Sequence, residues 1–200
     1  MIRIVIAEDQ SLLRGALSSL LGLEPDIEVV AEAGDGEDAL AKVDAHDPDV
    51  LVADIEMPSM TGLDAAEALR ERQSRTKVLI VTTFARPGYL QRALQAGVLG
   101  YVLKDAPSED LADAVRKVAG GQRAVAPELA EQAWAQSAEL TDREREILRL
   151  VEAGRTNKEI ARALDLSPGT VRNYLAEAAS KLGAANRIEA FQMARNNGWL

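Results

Sequence analysis

Five times before residue 119, a short apolar run ends in polar residues and gives way to a stretch whose apolar residues recur every three or four positions. The first run, Ile2 to Ile6, precedes a pattern of Leu13, Ala16, Leu17, Leu20 and Leu21. Ile27 to Ala33 precedes Ala39, Leu40 and Val43, with Gly34-Asp35-Gly36 opening the helix, and Val50 to Ala53 precedes Leu63, Ala66 and Leu69. Val78 to Val81 is followed by Leu90, Ala93 and Leu94, and Gly100 to Leu103 by a helix from Pro107 to Val118 capped by Ser108 or the preceding loop. Period two or continuous burial marks a strand, and period 3.6 marks a helix. Alternating units of this kind, with strands apolar on both faces, require a parallel sheet covered on each side by helices. Right-handed crossovers then favour a doubly wound α/β sheet of five strands in the order 2-1-3-4-5.

In such sheets ligands collect outside the carboxyl ends of the strands. The polar residues delivered there are Glu8 and Asp9, Asp54, Thr82, and Lys104. A single acid after a strand is as readily a turn or capping residue. Capping does not account for five polar groups converging from four strands. Asp9 and Asp54, with a backbone carbonyl near Glu56, make an oxygen-rich site of the kind Mg²⁺ accepts. Lys104 can pair with a phosphoryl oxygen, and Thr82 can donate a hydroxyl hydrogen bond to another.

The formal charge of −9 is unevenly spread: residues 1 to 121 hold 12 Lys and Arg against 21 Asp and Glu, and the remaining 79 hold 11 of each. From Arg155 to Arg195 there are 7 basic and 4 acidic residues, which permits a contact with double-stranded DNA. Cysteine is absent, which excludes disulfides and thiolate metal sites. No stretch approaches the ~20 apolar residues of a membrane span, so the expectation is a cytoplasmic protein with no direct membrane association.

The pattern divides the chain into a domain at 1–121, a linker at 122–138 and an all-α domain of four helices at 139–200. Thr141 and Glu144 have the spacing of a capping box, Thr156-Asn157 caps a short helix, and Ser167-Pro168 starts a longer one. A short helix, a tight turn and a longer helix make a helix-turn-helix. Its second helix offers Thr170, Arg172 and Asn173 to base edges, with Ser167 at its start and Lys181 late. Val171 either touches a thymine methyl or turns into the core. Asn157 and Lys158 suit phosphates.

The motifs Glu8-Asp9, Asp54-Ile-Glu-Met-Pro-Ser-Met-Thr-Gly62, Thr82-Thr83 and Lys104-Asp105 resemble the flavodoxin-like receiver domain of two-component response regulators. Leu-Thr-Asp-Arg-Glu-Arg-Glu-Ile-Leu (140–148), Asn-Lys-Glu-Ile-Ala (157–161) and Gly-Thr-Val-Arg-Asn-Tyr (169–174) resemble the LuxR-type output domain. Together they are similar to the NarL/FixJ subfamily, and segments 82–89, 104–111 and 169–174 narrow the resemblance to its regulators of lipid desaturation. The resemblance implies that a sensor histidine kinase phosphorylates Asp54, that Glu8 and Asp9 hold Mg²⁺ beside it, and that Lys104 is the pocket lysine. It also implies that Thr82 and Tyr101 switch together, promoting a homodimer that binds DNA and regulates transcription. Two rivals stand beside it. An aspartyl-phosphate phosphatase needs a second acid two residues after the nucleophile and a cap segment; residue 56 is Glu rather than Asp, and no cap segment is present. A phosphorylation-independent DNA-binding or scaffold protein would have no use for the intact set of strand-end groups. The expectation is therefore a regulator, not an enzyme.

Overall fold

The computed structural model describes residues 1–83, 87–125 and 140–200. The chain divides into two compact units, with the main boundary in sequence between Glu131 and Gln132. The first unit contains β1 (Ile2–Ala7), α1 (Ser11–Gly22), β2 (Ile27–Ala33), α2 (Gly36–His46), β3 (Val50–Ala53) and α3 (Gly62–Glu71). It continues with β4 (Lys77–Thr82), α4 (Pro87–Gln95, in this unit from Leu90 onward), β5 (Gly100–Leu103), α5 (Ser108–Ala119) and β6 (Ala124–Val125).

All strand pairs are parallel, and the order is β2-β1-β3-β4-β5-β6. The five-strand order read from the sequence is thus present, with one strand added at the edge. Chain reversal at Gly120-Gly121, where Gly121 takes the left-handed φ of 76°, brings the chain back beside β5, and the Ala124 N–H donates to the Leu99 carbonyl at 2.9 Å. Residues 124 and 125 are therefore sheet, not linker; from residue 126 to 138 the expected linker lies outside the described residues. Ser108 is not the cap of α5 either. Pro107 occupies that position, without a side-chain hydrogen bond, and Ser108 begins the helix.

One face of the sheet is covered by α1 and α5, through a core that includes Ile4, Ile6, Leu17, Leu21, Val52, Leu79, Val81, Val115 and Val118. Burial removes apolar area from water at roughly 25 cal/mol per Å², which is why β3, buried along its whole length, carries no charge until it ends. Arg116 of α5 clips the α1–β2 turn by pairing with Asp26 at 2.8 Å and with Glu24 at 2.5 Å.

The second unit holds α6 (Asp142–Glu152), α7 (Asn157–Ala163), α8 (Pro168–Leu182) and α9 (Arg187–Asn196). Thr141 and Glu144 form the expected capping box, and Thr156 forms another with Glu159. Each side chain satisfies a backbone N–H that the helix itself leaves open. The apolar faces meet in a core of Ile147, Leu148, Val151, Ile160, Val171, Leu175, Ala178, Leu182 and Ala194, which Trp199 joins. No helix among the described residues is long and apolar enough to cross a membrane.

Candidate acid pocket and nucleic-acid interface

The acid pocket is built where β1, β3 and β5 end. β1 delivers Glu8 and Asp9, β3 delivers Asp54, and Lys104 follows β5 directly. The Lys104 ammonium lies 2.7 Å from Glu8 Oε2 and 2.9 Å from Asp54 Oδ2, and its side chain is only 7% exposed. Backbone N–H groups orient the carboxylates: Ile55 donates to Asp54 Oδ1 at 2.7 Å and Gln10 to Glu8 Oε1 at 3.2 Å. The Lys104 N–H donates to the Thr82 carbonyl at 2.8 Å, which ties the lysine to the end of β4.

The loop after Asp54 is folded tightly. Gly62 donates to the Ile55 carbonyl at 3.2 Å, and Ser59 takes a left-handed φ of 61°. A Cβ at Gly62 would collide with the Asp54 carbonyl oxygen, so the start of α3 needs glycine for close approach.

The electrostatics point to a cation. Burial pushes the Glu8 carboxyl up, and the hydrogen bonds from Lys104 and Gln10 do not fully offset it. Burial alone would lower the Lys104 ammonium, yet hydrogen bonds and opposite charge from Glu8 and Asp54 hold it above its ordinary value. Apart from that ammonium, buried Glu8 Oε2 has no hydrogen-bond donor among the described residues. One carboxylate oxygen each from Glu8, Asp9 and Asp54 lies within 4.8 Å of the others, and Asp9 is exposed to solvent. Three carboxylates against one ammonium, all hard oxygen donors, fit a divalent cation such as those held by carboxylates and water. The Glu56 side chain is exposed and outside this carboxylate group, so only its backbone carbonyl remains a candidate there. Thr82 and Tyr101 are both buried.

In the second unit, α7 and α8 form the helix-turn-helix, with Asp165 at φ 53° in the turn. Ser167 caps α8 by accepting from the Thr170 N–H at 3.0 Å, and its hydroxyl lies 2.9 Å from that of Thr170. Arg172 and Asn173 are exposed, as is Lys158 at the start of α7. Val171 is 0% exposed and belongs to the core, so of the two roles open to it in the sequence, a base contact is removed. Lys181 pairs with the buried carboxylate of Glu144 at 2.8 Å, 37 residues away, while its own side chain stays 36% exposed. Sequence reading missed Arg187, whose guanidinium donates to Asn157 Oδ1 at 2.8 Å; its only sequence signal is its place just after the cap of α9.

A doubly wound sheet with an acid pocket at its strand ends, in one chain with a helix-turn-helix, defines a two-domain regulator. Residues 4–116 match the response regulator receiver domain, residues 138–194 match the luxR family of bacterial regulatory proteins, and the chain belongs to the response regulators that join the two. It is 53% identical to the transcriptional regulatory protein DesR of Bacillus subtilis, over 100% of this chain and 99% of the relative. To the response regulator protein VraR of Staphylococcus aureus it is 36% identical, with 94% of each covered. The crystal structure of the response regulator ChrA from a heme-sensing two-component system is 37% identical, covering 100% of this chain and 98% of that one at a TM-score of 0.59. A structure of an RcsB–DNA complex shares the fold at a TM-score of 0.70 and 23% identity, covering 97% and 98%.

Proposed function

We propose that Asp54 is the phosphoacceptor of this response regulator and that its modification by a sensor histidine kinase controls dimerisation and DNA binding. An Asp54 oxygen attacks phosphorus, a P–O bond forms as the P–N bond of the kinase phosphohistidine breaks, and the electron pair leaves with the imidazole. Such transfers need positioning and charge neutralisation more than covalent help. Glu8, Asp9 and Asp54, with the Glu56 carbonyl, hold Mg²⁺, which when bound offsets charge on the phosphoryl oxygens. The Lys104 ammonium stands ready to exchange its contact with Asp54 for one with a phosphoryl oxygen, and the Thr82 hydroxyl donates to another. Tyr101 follows Thr82. The protein modifies its own aspartate and then slowly loses the group, so it is a regulator, not an enzyme acting on a foreign substrate.

The observation that carries this reading is the buried Lys104 ammonium between Glu8 and Asp54, 2.7 and 2.9 Å away. A capping or turn-forming aspartate needs no lysine and two further carboxylates.

For the homodimer, support comes from α1 and its C-terminal cap residue Leu23: Leu12 and Leu23 are 87% and 80% exposed, and Leu20 and Ala16 lie on the same outward face. An apolar stripe of this kind on a helix is a surface waiting for a partner. Phosphorylation shifts the population toward the form that pairs through it, and pairing brings two output domains to adjacent half-sites. There Thr170, Arg172 and Asn173 face bases, while Asn157, Lys158 and Ser167 face phosphates. Operation in the cytoplasm follows from the DNA partner. The domain plan is a receiver from residue 1, a linker up to 138 and an output domain at 139–200.

The test is sedimentation and DNA titration of the full chain before and after acetyl phosphate with Mg²⁺. Phosphorylated wild type dimerises and binds a specific duplex more tightly, and Asp54→Ala does neither. Equal responses from the two proteins would overturn the reading.

A further inference from the structure

The start of α7 and the start of α9 are joined by one side chain. Arg187 donates through Nη1 to Asn157 Oδ1 at 2.8 Å and to the Arg155 carbonyl at 3.4 Å, and Arg187 and Asn157 are each half-buried. Arg187 is itself placed by its helix start, where Asn186 caps α9 by accepting from the Ile188 and Glu189 N–H groups at 2.9 and 3.0 Å.

The chemistry of the pair settles how the Asn157 amide lies. A guanidinium has five donors and no acceptor, so it can meet only the oxygen of a carboxamide. The amide is planar, so fixing Oδ1 on Arg187 turns Nδ2 and its two donors away from the guanidinium. Without Arg187 the amide is free to flip and to present an acceptor instead. Beside exposed Lys158, an outward pair of N–H donors suits a phosphate oxygen, and an outward carbonyl oxygen would repel it.

We propose that Arg187 is a positioning residue for DNA binding: it locks the Asn157 amide with its donors toward the DNA backbone. The proposal rests on Asn157 being a phosphate contact. Arg187 acts through Asn157 and does not itself sit on a phosphate. The last helix of the domain thereby sets the polarity of a contact made by the first helix of the helix-turn-helix.

The experiment uses the full chain and a duplex selected by the wild type from a random-sequence pool. Arg187→Ala and Asn157→Ala each lose affinity by about tenfold, the size of one hydrogen bond to a charged group. The double variant loses no more than the larger single loss, because the two residues form one contact. Asn157→Asp keeps an acceptor for Arg187, so its thermal midpoint stays at or above wild type while its DNA affinity falls. Arg187→Lys, which retains a donor and the charge, recovers part of the loss.

The slope of affinity against salt stays as in wild type for Arg187→Ala. A fall of the slope by about one unit, or additive losses, would make Arg187 a direct phosphate contact and overturn the positioning role. Loss in Asn157→Ala without loss in Arg187→Ala would overturn it equally. Wild-type affinity in Asn157→Ala would instead overturn the phosphate reading of Asn157 on which it rests.

Discussion

The Lys104 ammonium lies 2.9 Å from Asp54 Oδ2 in a pocket where both side chains are almost wholly buried. A buried cation of this kind is stable only because Asp54 and Glu8 share it, and they in turn depend on it. Lys104→Ala leaves two buried carboxylates facing each other, and we expect about 3 kcal/mol of destabilisation of the receiver in urea. Mg²⁺ should recover more stability in this variant than in wild type, since a bound cation stabilises the folded form by mass action. An unchanged unfolding midpoint, with or without Mg²⁺, would contradict the electrostatic picture of the pocket.

Gly62 tests how closely α3 must approach Asp54. Its missing Cβ is what leaves space for the Asp54 carbonyl oxygen. Gly62→Ala is expected to cost about 1–3 kcal/mol through overpacking and to slow phosphorylation by displacing Asp54. Urea denaturation and the time course of modification check the two effects separately, and a variant indistinguishable from wild type in both would show that the loop yields freely.

The exposed stripe on α1 separates stability from assembly. Replacing Leu12 and Leu23 together by Glu removes no buried contact, so stability should change by less than about 0.5 kcal/mol. Modification of Asp54 should proceed as in wild type, whereas the phosphorylated double variant should sediment as a monomer. A dimer of undiminished affinity would place the interface elsewhere.

Glu144 makes the output domain sensitive to acid. Burial pushes this carboxyl up, but hydrogen bonds from Lys181 and from the Thr141 backbone and hydroxyl outweigh it and hold the group below the usual glutamate range. A carboxyl depressed in the folded state stabilises the fold at neutral pH. That stability is lost as pH falls from the unfolded value of about 4.3 through the folded one. Thermal unfolding between pH 7 and pH 3, followed through the buried Trp199, should show a steeper acid loss in wild type than in Glu144→Gln. Parallel curves would remove Glu144 from the account.

These features differ in how much of them a sequence can carry. The five strand–helix units were legible because burial on both faces writes continuous apolar runs into strands such as Val50–Ala53, and Asp54 stood out as the charge that ends one. β6 was not legible. Ala124 and Val125 are too few to show a period, and they pair only because the Gly120-Gly121 reversal returns the chain to the free edge of β5. The recognition helix was legible as a helix, but the burial of Val171 depended on which side of it faces Ile147 and Ile160. Lys181 and Arg187 could not be assigned from neighbours in sequence, since their partners Glu144 and Asn157 lie 37 and 30 residues away. Local order leaves its mark in spacing; long-range pairing leaves none that a single chain reveals.

The central claim is that the carboxylate between Lys104 and the Ile55 N–H receives the phosphoryl group. Intact-mass measurement of the full chain after acetyl phosphate and Mg²⁺, with Asp54→Asn treated alongside, tests it most directly. Wild type should gain the mass of one phosphoryl group and Asp54→Asn none. A phosphoryl group on the Asp54→Asn chain, or no gain on wild type, would contradict it.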